Sequence, residues 1–434
     1  MRQWQASRRF MLACALLASI PTAGSRAAGF YEQDQSAVGT GRAFSGEAAD
    51  QGAQSMWWNP AAIGGIDGNE FGGTLSDYTA WSKATDQGSS LQRGFGTFPV
   101  GGNPSSSGVV EDGLLPSGAV ALRLDRNWSV GLSVTSPFDF VTQYGEQSWA
   151  RYSALTTRLE IIDIQPTLAW RPVRWLSIGA GPNIEHTVAE LTSALPGAAP
   201  FLPDGTQSVH ADGWDAGFNV GAQLHLLSDR LVLGAAYRSR IEHTLGGTFA
   251  TAGLLGPFAP FNRATDDALA RFTTPWAMTF AARYRATQRL TVEAQIVHTG
   301  WRVFDDVVLV RPVPMAIAEN YGDTTNAAIG ADYALSRRWV LRAGLQYDPS
   351  PVNGQDAETR VPDGDRWVVG IGASVQPLRG WFVDAGASYI NVASVRINRD
   401  EPVFAGTPAA SLLQLRGSFA ASGFVFALGS RLRF

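Results

Sequence analysis

Over long stretches of this chain, apolar residues recur at every second position. From Trp214 to Leu226, Trp214, Ala216, Phe218, Val220, Ala222, Leu224 and Leu226 fall on one face, and Asp215, Gly217, Asn219, Gly221, Gln223 and His225 on the other. Period two with two unlike faces predicts a half-buried β-strand. The pattern returns with Trp339, Leu341, Ala343, Leu345 and Tyr347 against Arg342, Gly344, Gln346 and Asp348. It returns again with Trp367, Val369, Ile371, Ala373 and Val375 against Arg366, Gly370, Gly372 and Ser374. Trp and Tyr stand at the ends of the apolar faces, as amphipathic rings do at the two interfaces of a bilayer. The last eleven residues, Phe424 to Phe434, alternate in the same way, are enough to cross a bilayer when tilted, and close on an aromatic side chain.

Fourteen such segments can be placed between residues 69 and 434, among them the third over 128–140, the seventh over 230–246 and the eighth over 274–285. Short polar turns at 125–127, 171–174, 228–230, 336–338 and 377–380 alternate with long connections near 81–116, 188–210, 247–273, 302–323, 349–363 and 395–411. The asymmetry of periplasmic turns and extracellular loops predicts an all-β membrane protein, a 14-stranded antiparallel transmembrane β-barrel. Residues 28–66 do not alternate. There the stretch 47–58 tolerates a helix, which Pro60 should end at Asn59. Its length and its mixture of small and aromatic residues predict a small N-terminal helical hatch plugging the lumen, and a flexible extracytoplasmic tail is the competing reading.

The first residues bring in the compartment. Arg2, Arg8 and Arg9 precede an apolar run from Phe10 to Ile20, which has the length of a signal-peptide core and is too short for a spanning helix. Small residues Ser25 and Ala27 suit a cleavage site, dividing the chain into a signal peptide (1–27), a hatch (28–66) and a barrel (67–434). Cys14, the single cysteine, leaves with the leader, so disulfides and cysteine metal sites are not expected in the mature chain. The leader carries four arginines and no acid, and its removal moves the formal charge from −4 to −8, which argues against nucleic acid as a partner.

Several segments, in order, resemble one family. They are AGFYEQDQSAVGTGRAFSGEAADQGAQSMWWNPAA, SPFDFVTQYG with WARYSAL, DGWDAGFNVGAQL, YRSRIEHTLGG, TVEAQIVHTGWRVFDDV, YGDTTNAAIGADYAL, LRAGLQYDPSPV and RVPDGDRW. Together they are similar to the outer-membrane long-chain fatty-acid transporters of the FadL and TodX type. That resemblance implies a fourteen-stranded barrel with an N-terminal hatch, passive movement of hydrophobic molecules, and sideways release through an opening at a kink in the third strand. It places the kink on Pro137, Phe138, Asp139 and Phe140, where the chain departs from the family in carrying Asp139 at a position often occupied by glycine. Pro137 itself supports a gap, because a proline inside a strand removes a ladder donor; an ordinary loop start is the alternative. Asn59, Pro60 and Ala61 match the family's hatch motif, and also suit a simple helix cap. A terminal Phe434 resembles the signal read by the barrel-assembly machinery.

Candidate chemistry is otherwise sparse. Leu191, Leu195, Phe201 and Leu202 in one long connection, and Leu254, Leu255, Phe258 and Phe261 in another, are an unusual apolar load for extracellular loops. They predict a substrate-binding surface, or two loops that pack on each other. His186, His210, His225, His243 and His298 show no metal-ligand spacing, and no serine sits in a nucleophile motif, so neither a metal nor a cofactor nor a catalytic residue is expected. A polar-solute porin and an outer-membrane phospholipase remain as other classes. The expected partners are outer-membrane lipid, lipopolysaccharide and a hydrophobic small molecule, with the protein a monomer. A fatty acid's carboxylate would need a strong donor such as Arg238, Arg283, Arg342 or Arg366, any of which could instead pair with Asp332, Asp348 or Asp384. The acidic surroundings of Glu185, His186 and Glu190 keep neutral aromatic or alkane hydrocarbons open as substrates.

Overall fold

The computed structural model describes residues 30–199, 201–352 and 357–434; the expected leader, its expected cleavage site and Cys14 lie outside the described residues. Fourteen strands form the wall: β1 (Glu70–Asp86), β2 (Gly113–Arg123), β3 (Trp128–Gln143), β4 (Thr156–Val173), β5 (Leu176–Leu195), β6 (Gly205–Leu226), β7 (Leu231–Arg238 and Ile241–Ala252), β8 (Arg263–Thr274 and Trp276–Arg285), β9 (Leu290–Gly300), β10 (Thr324–Ala334), β11 (Trp339–Asp348), β12 (Arg366–Leu378), β13 (Trp381–Val403) and β14 (Ser411–Arg433). Each pairs antiparallel with the next, and β14 closes on β1 in unbroken register from Glu70↔Arg433 to Asp86↔Gly417. Closure of β14 on β1 removes the two end edges that an open sheet would present to hydrocarbon, a condition for a sheet to span a membrane.

The alternation read from the sequence is the alternation of the wall. Phe218, Ile371 and Leu428 are among the most exposed apolar side chains, whereas the neighbouring Asn219, Gln223 and Gln346 are buried inside. Eight residue steps separate Trp339 from Tyr347 on β11, which at about 3.3 Å per step and with strand tilt gives an apolar band of roughly 20–25 Å.

Two long connections are shorter than the sequence suggests. The strands β7 and β8 continue past the expected ends and pair from Ile241↔Thr274 to Thr251↔Arg263, leaving a single 3-10 turn, Gly256–Phe261, at the tip. In β8 the interruption falls at Pro275, which has no N–H to give to a ladder. β5 likewise runs to Leu195, so Leu191 and Leu195 belong to the wall and not to a loop.

Inside the barrel, residues 30–66 form a plug, with a short helix, Ala37–Gly41, whose start is capped by Ser36 Oγ accepting from Gly39 N–H at 2.9 Å. The expected helix over 47–58 does not form. Single 3-10 turns, Glu47–Ala49 and Gln54–Met56, stand in its place, separated by Gly52 at φ +128, a conformation that ends any helix. The plug presses on thinned wall positions. A Cβ on Gly344 would lie 1.9 Å from the Arg42 carbonyl oxygen, so only glycine lets the two backbones meet there.

Candidate transport path

At the middle of the lumen Arg42 is fully buried and holds Glu47 and Asp50 at 2.7 Å each, Glu293 at 3.4 Å and Asp332 at 3.6 Å. Arg283 of β8 binds Glu293 and Asp332 at 2.8 Å each, and Arg342 of β11 binds Asp332 at 3.2 Å. Plug and wall are thus joined by shared charges in a dry interior, where removing one member strands the others. Asn59 adds a second tie: its Nδ2 donates to the Ala48 carbonyl at 2.8 Å and to the Ala222 carbonyl of β6 at 3.1 Å. Its Oδ1 accepts from Ala61 N–H at 3.0 Å, which makes Asn59 the N-cap of the turn Pro60–Ile63. The motif therefore opens a turn, where the sequence reading had it ending a helix. Pro at the first position of a turn loses no hydrogen bond, because that N–H has no acceptor in any case.

β3 departs from the wall where Pro137 lies. Its pairing with β2 stops at Gly118↔Val134 and resumes only at the single bridge Val110↔Thr142. On the other edge, the β4 register slips between Thr135↔Asp163 and Phe138↔Ile161, so one extra residue is inserted. Every residue from Thr135 to Thr142 is buried, and the in-and-out alternation is lost. The plug's first residues take up the freed backbone: Glu32 N–H donates to the Pro137 carbonyl at 2.7 Å, Asp139 N–H to the Phe30 carbonyl at 3.3 Å. Pro137, Phe138, Asp139 and Phe140 thus stand together against the start of the plug.

Above the plug lies an apolar chamber with about 680 Å³ of empty space, counting the part open to solvent. Phe30, Phe140, Leu191, Leu245, Phe272 and Phe304 form much of its lining. Phe30 is the hub, with ring centres 5.7 Å from Phe140, 5.1 Å from Trp301 and 5.0 Å from Phe304. Ile317 and Arg360 are shared with a wider, more polar cavity on the loop side, about 1530 Å³ when its open mouth is counted. Phe140 and Val361 are shared with a third, about 680 Å³, lined by Tyr78, Val110 and Phe419. The three form a string with the apolar chamber in the middle, and Phe140 stands between that chamber and the third cavity.

The eight loop residues divide. Leu195 and Leu254 join one buried cluster, against which Phe258 and Phe261 pack, their rings 5.0 and 5.6 Å from Phe404. Leu191 lines the apolar chamber instead. Leu202 lines a separate surface cavity beside Arg93 and Pro203, while Phe201 and Leu255 are exposed, Phe201 at 86%. The four lumenal arginines are engaged: Arg238 binds Asp163 at 2.8 Å, Arg283 and Arg342 share Asp332, and Arg366 binds Asp363. Sequence reading missed Phe30, Phe272, Phe304, Glu319, Glu358 and Arg360 in the chamber. The aromatics Trp301, Phe304 and Tyr321, at the edge of and within the connection 302–323, were the available signal.

Known proteins place the chain. The family model described as outer membrane protein transport protein (OMPP1/FadL/TodX) matches residues 16–434. The long-chain fatty acid transport protein of Escherichia coli is 24% identical over 412 residues, covering 86% of this chain and 89% of that protein. Among solved structures, a Pseudomonas aeruginosa FadL homologue superposes with a TM-score of 0.81 at 24% identity, covering 95% of this chain and 100% of that one. The Pseudomonas putida toluene transporter TodX gives 0.67 at 19% identity, covering 94% and 100%.

Proposed function

Since the chain belongs to the outer membrane protein transport protein family (OMPP1/FadL/TodX), we propose that it moves hydrophobic molecules passively across the outer membrane, long-chain fatty acids foremost. The observation that carries this reading is the string of cavities, whose apolar middle chamber meets both the plug's Phe30 and the kinked strand's Phe140. In it, apolar extracellular surfaces around Leu195, Leu254, Phe258 and Phe261 capture the molecule, the chamber desolvates it, and the unpaired stretch between β2 and β3 releases it sideways into lipid. Asn59, Pro60 and Ala61 hold the plug in its seat. Exposed apolar side chains of the wall contact lipid and lipopolysaccharide, Phe434 serves the barrel-assembly machinery, and the protein works as a monomer without catalysis or cofactor.

A second reading, neutral aromatic or alkane hydrocarbons on the same path, is favoured by one observation. Arg238, Arg283, Arg342 and Arg366 are all held by acids, leaving none of the four for a ligand's carboxylate. Relatives with each cargo in their names, the fatty acid transport protein and the toluene transporter, stand behind the two readings.

The test is uptake of labelled oleate and labelled toluene by cells expressing the chain, beside a Pro137→Val, Asp139→Thr double variant that can complete the β2–β3 ladder. Surface folding is checked in both. Oleate uptake lost in the variant supports the fatty-acid reading with lateral release; uptake of toluene alone moves the protein to hydrocarbons. Uptake of neither, with normal folding, removes the transport reading.

A further inference from the structure

The outer rim of the wall is not charged alike all round. On the side made by β13, β14 and β1, three aromatic rings stand together on the outward face, Trp81 and Tyr389 lying 5.9 and 5.1 Å from Phe424. Such rings mark the level where hydrocarbon gives way to headgroups. Two residues beyond Trp81 comes Lys83, the chain's single lysine, paired with Ala420 of β14. Two residues further along β14 in the same direction, Ser418 pairs with Arg396 of β13. Both cations are exposed, and neither has an ion pair among the described residues. Two strand spacings and two residue steps put their Cα atoms about 12 Å apart, a gap that two long side chains can close on one anionic group.

Acids around this face are directed elsewhere. Asp400 is held by Arg416 at 2.8 Å, Asp112 accepts the Ala80 N–H at 2.8 Å, and Asp86 accepts the Ser89 N–H at 2.8 Å. Asp77 lies six residues below Lys83, on the membrane side of Trp81. Uncharged polar side chains stand beside the cations: Gln87 Nε2 donates to Ser418 Oγ at 3.4 Å, and Asn398 is exposed two residues beyond Arg396. Across the barrel the outer rim is mixed. On β7 and β8, Glu242 lies 3.1 Å from Arg240, and Asp267 is 2.9 Å from Arg311. Arg271, without an ion pair among the described residues, is diagonal to Glu242 in the register of those strands.

We propose that the outward face of β13, β14 and β1 is a docking site for the phosphorylated headgroup of lipopolysaccharide. Lys83 and Arg396 hold a phosphate, and Trp81, Phe424 and Tyr389 lie along the acyl chains below it. A phosphate at the membrane surface is attracted by each cation and accepts charge-assisted hydrogen bonds from both. The sugar that carries it presents hydroxyls, which Gln87, Ser418 and Asn398 can meet. The site does not depend on what the barrel carries.

The experiment titrates the full chain, in detergent micelles with EDTA, with purified lipopolysaccharide, with its enzymatically dephosphorylated form and with phosphatidylglycerol, reading affinity by thermophoresis. Folding of each variant is checked first by heat-modifiable mobility on gels. Lipopolysaccharide is expected to bind about tenfold or more tighter than the dephosphorylated form, and Lys83→Gln with Arg396→Gln should cost a similar factor. Lys83→Arg with Arg396→Lys, which keeps both charges, should bind as the unaltered chain does, and so should Arg240→Gln with Arg271→Gln on the other side. An unchanged affinity in the first pair of substitutions overturns the proposal, as does an equal loss from the two sides. Phosphatidylglycerol bound as tightly as lipopolysaccharide overturns it too, since the face would then take any anionic lipid. None of these four residues lines the cavities of the transport path, so this test and the uptake test fail independently.

Discussion

The two halves of the lumen solve the problem of filling a barrel in opposite ways. Around the plug, space is closed by charge and close backbone contact: Arg42 among four carboxylates, and Gly344 where any side chain would strike the plug. Around the chamber, aromatic rings line a space they do not fill, with Phe30 between Phe138, Phe140, Trp301 and Phe304. Charged groups that share partners are geometrically exacting, so the first half has one good arrangement. Rings slide past one another at small cost, and the second half can admit a guest. The contrast locates the lock and the passage in one chain, and it can be broken at either end.

Arg42→Ala is expected to have the largest effect. It leaves Glu47 buried without its ion-pair partner and takes one of two arginines from Glu293, at a cost of about 3–5 kcal/mol. The plug should become sensitive to added protease in outer-membrane vesicles while the barrel keeps its heat-modifiable mobility on gels; a plug still protected would mean that the charges do not hold it. Asn59→Ala comes next, at roughly 1–3 kcal/mol, because the Ala48 and Ala222 carbonyls lose a donor and the turn at Pro60 loses its cap. The same protection assay should show an intermediate loss.

A smaller effect concerns pH. Burial raises the Asp34 carboxyl to about 6, against hydrogen bonds from Thr40 and Tyr78 that pull the other way. A raised acid binds its proton in the folded plug at a pH where the unfolded chain has released it, so plug stability grows as the pH falls through 6 towards 4. Protease protection should be greater at pH 5 than at pH 7.5, and Asp34→Asn should shrink that difference. Smallest of all is Arg240→Ala: its partner Glu242 lies 3.1 Å away with both side chains more than half exposed. Unfolding should shift by less than about 0.5 kcal/mol, and a larger shift would show that the outer rim is tied to the interior.

How far each half could be read beforehand follows from the range of the interactions. Strand number, the in-and-out order of Trp214 to Leu226, and the turns at one end were legible because period two is local and each strand carries it alone. The expected helix over 47–58 failed because Gly52 and the wall contacts, not local propensity, shape a segment enclosed by a barrel. Leu191 and Leu195 were misread as loop because strands continue beyond the bilayer once a partner strand continues with them.

By itself, the sequence determined an outer-membrane barrel of fourteen strands, since burying alternate faces against lipid and lumen is a rule each segment obeys independently. Only the tertiary structure decided which arginines were already spent, and that Phe30 and Phe140 meet at one chamber. Those facts depend on side chains far apart in the chain, from Phe30 to Arg366, and pairing across such distances is set by closure of the whole barrel, which no local pattern contains.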